Sequence, residues 1–229
     1  MRKYALIVAG GIGKRMNQET PKQFLLIGGK PILMHTLERF HQTDSSIQLI
    51  LTLPKEHHLH WQELCKEFQF SIEHQIVIGG LTRYESVKNG LNYIRSEDKE
   101  NKSIIAIHDG VRPFVNKTTI LQSYELASQY GGAVACVMPK DSIREVYMQK
   151  TKRLDRSTIR LVQTPQTFQS KLIQDTYSTI RESVEFTDDA SMVEACGFSF
   201  HLFEGTYDNI KITTPEDLLI AEVLFKKSI

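Results

Sequence analysis

Short apolar runs of strand character alternate with amphipathic helical stretches along most of this chain, and that alternation leaves few folds open. Strands are expected at residues 4–9, 47–53, 75–78, 104–108 and 133–137. Between them come the apolar sets Ile32, Leu33, Leu37 and Phe40; Trp61, Leu64, Cys65 and Phe68; Val87, Leu91 and Ile94; and Ile120, Tyr124 and Ala127. Their three- and four-residue spacing is that of one helix face. Repeated strand-then-helix units predict an α/β fold, a mostly parallel twisted sheet flanked by helices, Rossmann-like in outline. Further on, helices are expected at 170–180 and 187–196, and strands at 199–203 and 209–212. Thr82-x-x-Glu85 is a capping box, and Thr214-Pro215-Glu216-Asp217 combines a hydroxyl cap, proline at the first helical position and an acid two residues on.

Residues 138–160 break this rhythm. They are rich in Lys, Arg, Asp and Ser, and 142–148 alternates as a hairpin strand does. Two readings stand: a protruding β-arm that reaches a partner subunit or covers a site, and a plain solvent-facing hairpin. The remaining pattern is continuous, so residues 1–229 are read as a single domain with the arm inside it.

Composition excludes several classes. With net charge +1 over 229 residues there is no global field to favour nucleic acid or a membrane surface, so any anion site must be local. No apolar run approaches a membrane span, and the first residues lack a signal-peptide core. Cys65, Cys136 and Cys196 are scattered and unpaired in spacing, which reads as small buried hydrophobes in a reducing cytoplasm.

The first predicted strand runs straight into Gly10, Gly11 and Gly13, then Lys14, Arg15 and, after a turn, Pro21-Lys22. Glycines let backbone N–H groups close around a ligand, and the cations beyond supply charge where a polyphosphate lies. Arg15 stands where a P-loop needs a hydroxyl, and Met16 where a dinucleotide fingerprint needs its third glycine. The choice is between a nucleoside triphosphate site and a tight turn with solvated cations; Arg15 and Lys22 in one loop favour the first. Asp109, after a strand and before Gly110, is the leading carboxylate for Mg²⁺, or else a turn aspartate; Asp208 is the second. Lys211 between Ile210 and Ile212 reads, blandly, as a solvent-facing strand position. Arg83 and Ser86 lie in the first turn of the helix after Gly79-Gly80, a place suited to anions or to plain surface residues. His57, His58 and His60 lack the partners of a metal site, and no hydrolytic nucleophile motif is present.

Taken in order, these motifs resemble the 2-C-methyl-D-erythritol 4-phosphate cytidylyltransferases of isoprenoid precursor synthesis. The likeness runs from Tyr4 to about Phe225. It is carried by Ala9-Gly10-Gly11-Ile12-Gly13-Lys14-Arg15-Met16, Pro21-Lys22-Gln23-Phe24, Gly79-Gly80-x-x-Arg83-x-x-Ser86-Val87 and His108-Asp109-Gly110-x-Arg112-Pro113. Leu154-Asp155-Arg156, Gln163-Thr164-Pro165-Gln166, Thr187-Asp188-Asp189-Ala190 and Asp208-Asn209-Ile210-Lys211-Ile212-Thr213 complete it.

The resemblance implies a nucleotide-diphospho-sugar transferase-like fold. It implies transfer of CMP from CTP to methylerythritol phosphate, whose phosphate attacks the α-phosphorus and expels pyrophosphate. Arg15, Lys22, Arg156 and Lys211 would be the catalytic cations, with Arg156 lent across a homodimer. Ala9, Gly10, Gly11, Gly13, Gly80, Arg83, Ser86 and Gly110 would bind CTP. Asp109, Arg112, Ser142, Thr164 and Thr187 would bind the second substrate, and Mg²⁺ would be held mainly by CTP phosphates with Asp109 and Asp208. Leu81 stands where an acid is often found and Ser142 where threonine is. Val111 and the Ile210–Pro215 run are shared with ribitol-5-phosphate cytidylyltransferases, which makes ribitol 5-phosphate the alternative substrate. A dehydrogenase and a non-catalytic nucleotide sensor are further alternatives, opposed by the missing third glycine and by the full set of charged positions.

Overall fold

In the computed structural model, which describes residues 1–10, 20–180 and 186–227, side-chain alternation along the strands sorts the core onto two sheet faces. The elements in chain order are β1 (Lys3–Val8), β2 (Leu26–Ile27), β3 (Lys30–Pro31), α1 (Ile32–Thr43), β4 (Gln48–Leu53), α2 (His58–Glu67), β5 (Gln75–Ile78), α3 (Arg83–Glu97) and β6 (Ile104–Asp109). There follow α4 (Lys117–Tyr130), β7 (Gly132–Val137), β8 (Arg144–Tyr147), β9 (Lys150–Arg153), β10 (Leu161–Gln169), α5 (Ser170–Thr179), α6 (Asp189–Ala195), β11 (His201–Glu204) and α7 (Pro215–Lys227). Seven strands form the main sheet in the order β11-β7-β10-β6-β1-β4-β5. β1 pairs in parallel with β4 and β6, β4 with β5, and β11 with β7; β10 runs antiparallel to both β6 and β7.

Ala5, Ile7, Leu49, Leu51, Ala106, Ala133 and Ala135 meet α1, α2 and α4 through Leu37, Phe40, Trp61, Ile120 and Tyr124. The alternate residues Tyr4, Leu6, Ile50, Ile105, Ile107 and Val134 meet α3, α5 and α6 through Leu91, Ile94, Ile173 and Val193. Strands buried on both faces read as near-continuous apolar runs, which is why they were visible in the sequence. A third cluster, Ile27, Ile32, Val111, Phe114, Ile212 and Ala221, fastens α7 beside the end of β6.

Two differences from expectation bear on the site. The segment 209–212 is not a strand; it is irregular chain fixed where the Ile212 N–H donates to the Val111 carbonyl at 3.0 Å. The strand β10 had no sequence signal, because proline and polar residues fill its middle. Its register against β7 shifts between Val162 and Gln166, which face Cys136 and Val134, and it contains a cis Thr164-Pro165 bond. Gln163, Thr164 and Pro165 therefore stand opposite Ala135 alone, and such bulges re-aim side chains. The capping expectations hold: Thr82 Oγ1 accepts from the Glu85 N–H at 3.1 Å, and Asp217 Oδ2 accepts from the Thr213 and Thr214 N–H groups at 2.8 and 2.9 Å.

Candidate active site

The chain turns outward from β1 to β4 and β5, then returns to lay β6 on the other side of β1, so the sheet's switch point lies between β1 and β6. In open α/β sheets ligands bind beyond the carboxyl ends of strands at such a point. Ala9-Gly10 and Gly110 follow β1 and β6 at that point, and Gly79-Gly80 follows β5 at the same end of the sheet. Close packing there favours small residues. A Cβ on Gly110 would stand 3.2 Å from that of Ala9, and one on Gly80 would stand 2.1 Å from Glu85 Cβ. The Gly79–Leu81 turn is pinned to α3: the Gly80 N–H donates to Ser86 Oγ at 3.0 Å, and the Leu81 N–H to Glu85 Oε2 at 2.6 Å. Gly11, Gly13 and Arg15 lie outside the described residues. Lys22 opens a short 3-10 turn, Lys22–Phe24, whose Phe24 is buried against Trp61, His57 and His60. His58 Nε2 lies 2.9 Å from the Leu53 carbonyl oxygen, so the histidine group is partly built into the packing around α2.

Where the end of β6 meets the start of α3 is a cleft of about 190 Å³ lined by Arg83, Asp109, Arg112, Gln163, Thr187 and Lys211 among others. Asp109 is its hub. Its Oδ2 lies 3.0 Å from Lys211 Nζ and 3.2 Å from Arg112 Nε, and its Oδ1 lies 3.8 Å from Arg83 Nε. Burial alone would raise its pKa, but Lys211, Arg83 and Arg112 outweigh that and hold the carboxyl well below the usual carboxylate range. Lys211 reaches it because Ile212 is buried in the third cluster, with Ile210 packed against it. The lysine between two isoleucines thus stays exposed, as its spacing implied, and lines the cleft. Arg112 also donates through Nη1 to the Asn209 carbonyl at 2.8 Å. The Asn209 side chain in turn donates to the Thr164 carbonyl at 2.8 Å, tying the Lys211 segment to the β10 bulge.

Arg83, expected as a CTP contact, lines the cleft and also forms a buried ion pair. Its Nη1 and Nη2 donate to the two carboxylate oxygens of the fully buried Asp189 at 3.0 and 2.7 Å. Burial works against the guanidinium charge, but Asp189 first and Asp109 second more than compensate, so its pKa is raised. Asp189 also accepts from the Tyr177 hydroxyl at 2.6 Å. Gln166 fastens the same helix start, donating to Asp188 at 2.9 Å and accepting from the Ala190 N–H at 2.9 Å. Exposed Thr187 is thereby held at the rim of the cleft. Asp189, Gln166 and Asn209 were not singled out as site residues in the sequence. The only signal for them was membership of the polar motifs at 163–166, 187–190 and 208–213.

Three other expected positions stand apart from the cleft. Asp208 lines a separate recess of about 270 Å³ with Arg39, Asn116 and Lys227, so the expected Asp109–Asp208 metal pair is not brought together. Among the described residues, no group of three or more His, Cys, Asp or Glu side chains gathers to hold a metal ion. Asp109, already matched by cations, does not fit a protein-built cation cage. Ser142 is exposed at the root of the arm, and Arg156 lies on the arm, donating to the Lys140 carbonyl at 2.6 Å. Thr164 does line the cleft, but its hydroxyl is engaged with His108 Nδ1 at 3.1 Å and with the Asp109 N–H at 3.1 Å.

An α/β sheet with glycines at its strand ends and cations gathered on one carboxylate is an arrangement suited to a phosphorylated ligand. The family model described as 2-C-methyl-D-erythritol 4-phosphate cytidylyltransferase matches residues 4–227. A relative of that name from Bacteroides thetaiotaomicron is 45% identical over 224 residues, covering 98% of this chain and 100% of its own. The solved structure of the enzyme of that name from Thermus thermophilus is 30% identical with a TM-score of 0.79, over 99% of this chain and 100% of that one. A 4-diphosphocytidyl-2C-methyl-D-erythritol synthase from Anaerococcus prevotii superimposes with a TM-score of 0.83 at 25% identity, over 97% and 95%. The chain belongs to the 2-C-methyl-D-erythritol 4-phosphate cytidylyltransferase family.

Proposed function

We propose that this chain transfers the cytidylyl group of CTP to the phosphate of 2-C-methyl-D-erythritol 4-phosphate, forming 4-diphosphocytidyl-2-C-methyl-D-erythritol and pyrophosphate. Family membership carries the reaction. The observation that supports its placement is the Asp109–Lys211–Arg112 cluster where the end of β6 meets the start of α3.

The substrate phosphate oxygen attacks the α-phosphorus in line with the pyrophosphate leaving group, so the protein supplies positioning and charge rather than a covalent nucleophile. Ala9, Gly10, Gly80 and Ser86 face the cytosine, with Gly110 beside the ribose. Arg15 and Lys22 stabilise charge on the pentacoordinate centre and on departing pyrophosphate. Lys211 exchanges part of its contact with Asp109 for the methylerythritol phosphate, and Asp109, Arg112 and Thr187 take the substrate hydroxyls. Arg83 holds the start of α6 through its bidentate bond to Asp189 and stands at the cleft where CTP binds. Mg²⁺ bound with the triphosphate, through phosphate and water oxygens, would offset phosphate charge there.

The arm reads as the dimer element, supplying Arg156 to the neighbouring cleft, in a homodimer of the cytoplasm. Its exposed tip residues Val146, Tyr147 and Met148 agree with that reading. Co-expressing Arg156→Ala with Lys211→Ala subunits tests it: mixed dimers regain a site with the wild-type KM for methylerythritol phosphate if Arg156 serves the partner, and keep only the raised KM if it serves its own chain.

The primary test is pyrophosphate release with CTP and Mg²⁺, comparing methylerythritol phosphate with ribitol 5-phosphate. Preference for the first is expected; preference for the second overturns the substrate while keeping the chemistry. In the same assay Lys22→Ala is expected to lower kcat by at least about a hundredfold with the fold intact.

A further inference from the structure

We propose that His108 is a positioning residue of this centre, setting through the Thr164 hydroxyl and the Arg112 carbonyl where Asp109 and Arg112 stand. This rests on the function proposed above. The imidazole sits near the end of β6 with 0% exposure, edge-on to Phe40 at a centroid distance of 5.0 Å. Both ring nitrogens are engaged: Nε2 lies 3.2 Å from the Arg112 carbonyl oxygen and Nδ1 lies 3.1 Å from Thr164 Oγ1.

Elementary valence fixes the direction of every bond in this chain. A carbonyl oxygen can only accept, so Nε2 carries the hydrogen. Nδ1 is then a bare acceptor, and the Thr164 hydroxyl must donate to it. That orientation leaves a Thr164 lone pair for the Asp109 N–H, which donates at 3.1 Å. The opposite tautomer would face a lone pair to the Arg112 carbonyl and a hydrogen to Thr164, reversing the hydroxyl. Burial keeps the ring neutral, with its pKa lowered to about 4; the Arg112 carbonyl and Asp109 oppose that shift, and the Arg112 and Lys211 charges add to it.

The consequence is mechanical. Asp109 and Arg112 present their side chains to the cleft, while the Arg112 carbonyl is tied to the imidazole directly and the Asp109 N–H through Thr164. The β10 bulge is what carries Thr164 to that ring, so β6, β10 and the Arg112 loop are locked at one point. Displacement of a positioned group by about an ångström can cost on the order of a hundredfold in rate.

His108→Phe keeps the packing against Phe40 and removes both bonds. It is expected to lower kcat/KM for methylerythritol phosphate about ten- to a hundredfold while leaving the KM for CTP unchanged. His108→Gln, which returns a donor to the Arg112 carbonyl, is expected to recover part of the loss. Adding Thr164→Val to His108→Phe is expected to cost little more, since the hydroxyl has already lost its direction. Wild-type kcat/KM in His108→Phe, an equal rise in both KM values, or full additivity with Thr164→Val would each overturn the proposal. Nitrogen-15 NMR of the wild-type imidazole reads the same claim without substrate and without the variants having to fold. One non-titrating Nε2–H tautomer is expected between about pH 5 and 8. An Nδ1–H tautomer, or protonation in that range, refutes the role of His108 whatever the substrate proves to be. Absence of pyrophosphate release by the wild type refutes instead the function on which it rests.

Discussion

The bulged wall formed by β10 and the end of β6 and the arm at 138–160 are both rich in polar residues, yet the two regions put them to opposite use. In the wall, Thr164, Gln166, His108, Asp109 and Asn209 are buried and bonded to one another or to backbone, so their positions are set by the fold. In the arm, every residue of β8 and β9 is exposed, and the bonds are short-range ones such as Arg144 to Thr151 Oγ1 at 2.7 Å. Only its root is anchored, where the Tyr207 hydroxyl donates to the Met138 carbonyl at 2.9 Å and Lys140 lies 4.0 Å over the Tyr207 ring. A buried polar network costs heavily if any member is lost, whereas an exposed one exchanges its bonds with water almost freely. One wall is therefore preorganised by the chain itself, and the other is suited to being completed by a partner or substrate.

The sharpest way to break this comparison is Asp189→Ala. It leaves the Arg83 guanidinium without its buried partner and is expected to cost about 3 kcal/mol of unfolding free energy. That is the low end for a broken buried pair, because Arg83 keeps some contact with water. Urea unfolding checks it, and a loss comparable to an ordinary surface substitution would put the wall in the same class as the arm.

Acid comes next. The His108 pKa is lowered to about 4 in the folded chain, against an unfolded value near 6.5. Between those values the unfolded state binds more protons, so the stabilisation is complete above about pH 6.5 and is lost as pH falls toward 4. The fall attributable to this residue is expected to be about 2–3 kcal/mol. His35 and His74 are shifted in the same direction, so the measurement is the difference between wild type and His108→Phe across that window.

The smallest effect on stability belongs to the arm. Arg156→Ala is expected to change unfolding free energy by less than about 0.5 kcal/mol. The same variant is expected to raise the KM for methylerythritol phosphate about tenfold or more through loss of a charge-assisted contact. Sizeable destabilisation would show that Arg156 belongs to the fold after all.

These contrasts track what could be read along the chain. The strands at the sheet centre announced themselves because burial on both faces makes an uninterrupted apolar run, as in Ile104 to Ile107. The α3 and α7 starts were legible because a cap is a local bond between residues three or four apart, as Thr82 and Asp217 show. Lys211 stood out only through the family motif, because what holds it in place is a carboxylate remote in the chain, Asp109, at a separation of 102 in the numbering. β10 was missed for a related reason. Its polar centre repels any strand rule based on apolar alternation, and Gln163, Thr164 and Gln166 find their partners in remote parts of the chain, among them Thr206, His108, Asp188 and Asn209.

The sequence by itself determined the layered α/β fold, the glycine turns at the strand ends, and the set of charged positions that marks the family. These depend on local periodicity, local capping and residue identity at fixed spacing. Tertiary structure alone decided that Arg83 serves Asp189, that Asp208 stands away from Asp109, and that one neutral imidazole aligns Thr164 with Arg112. Each of those is a bond between residues remote in the chain, and a buried polar group takes its partner from whatever the folded sheet brings within about 3 Å.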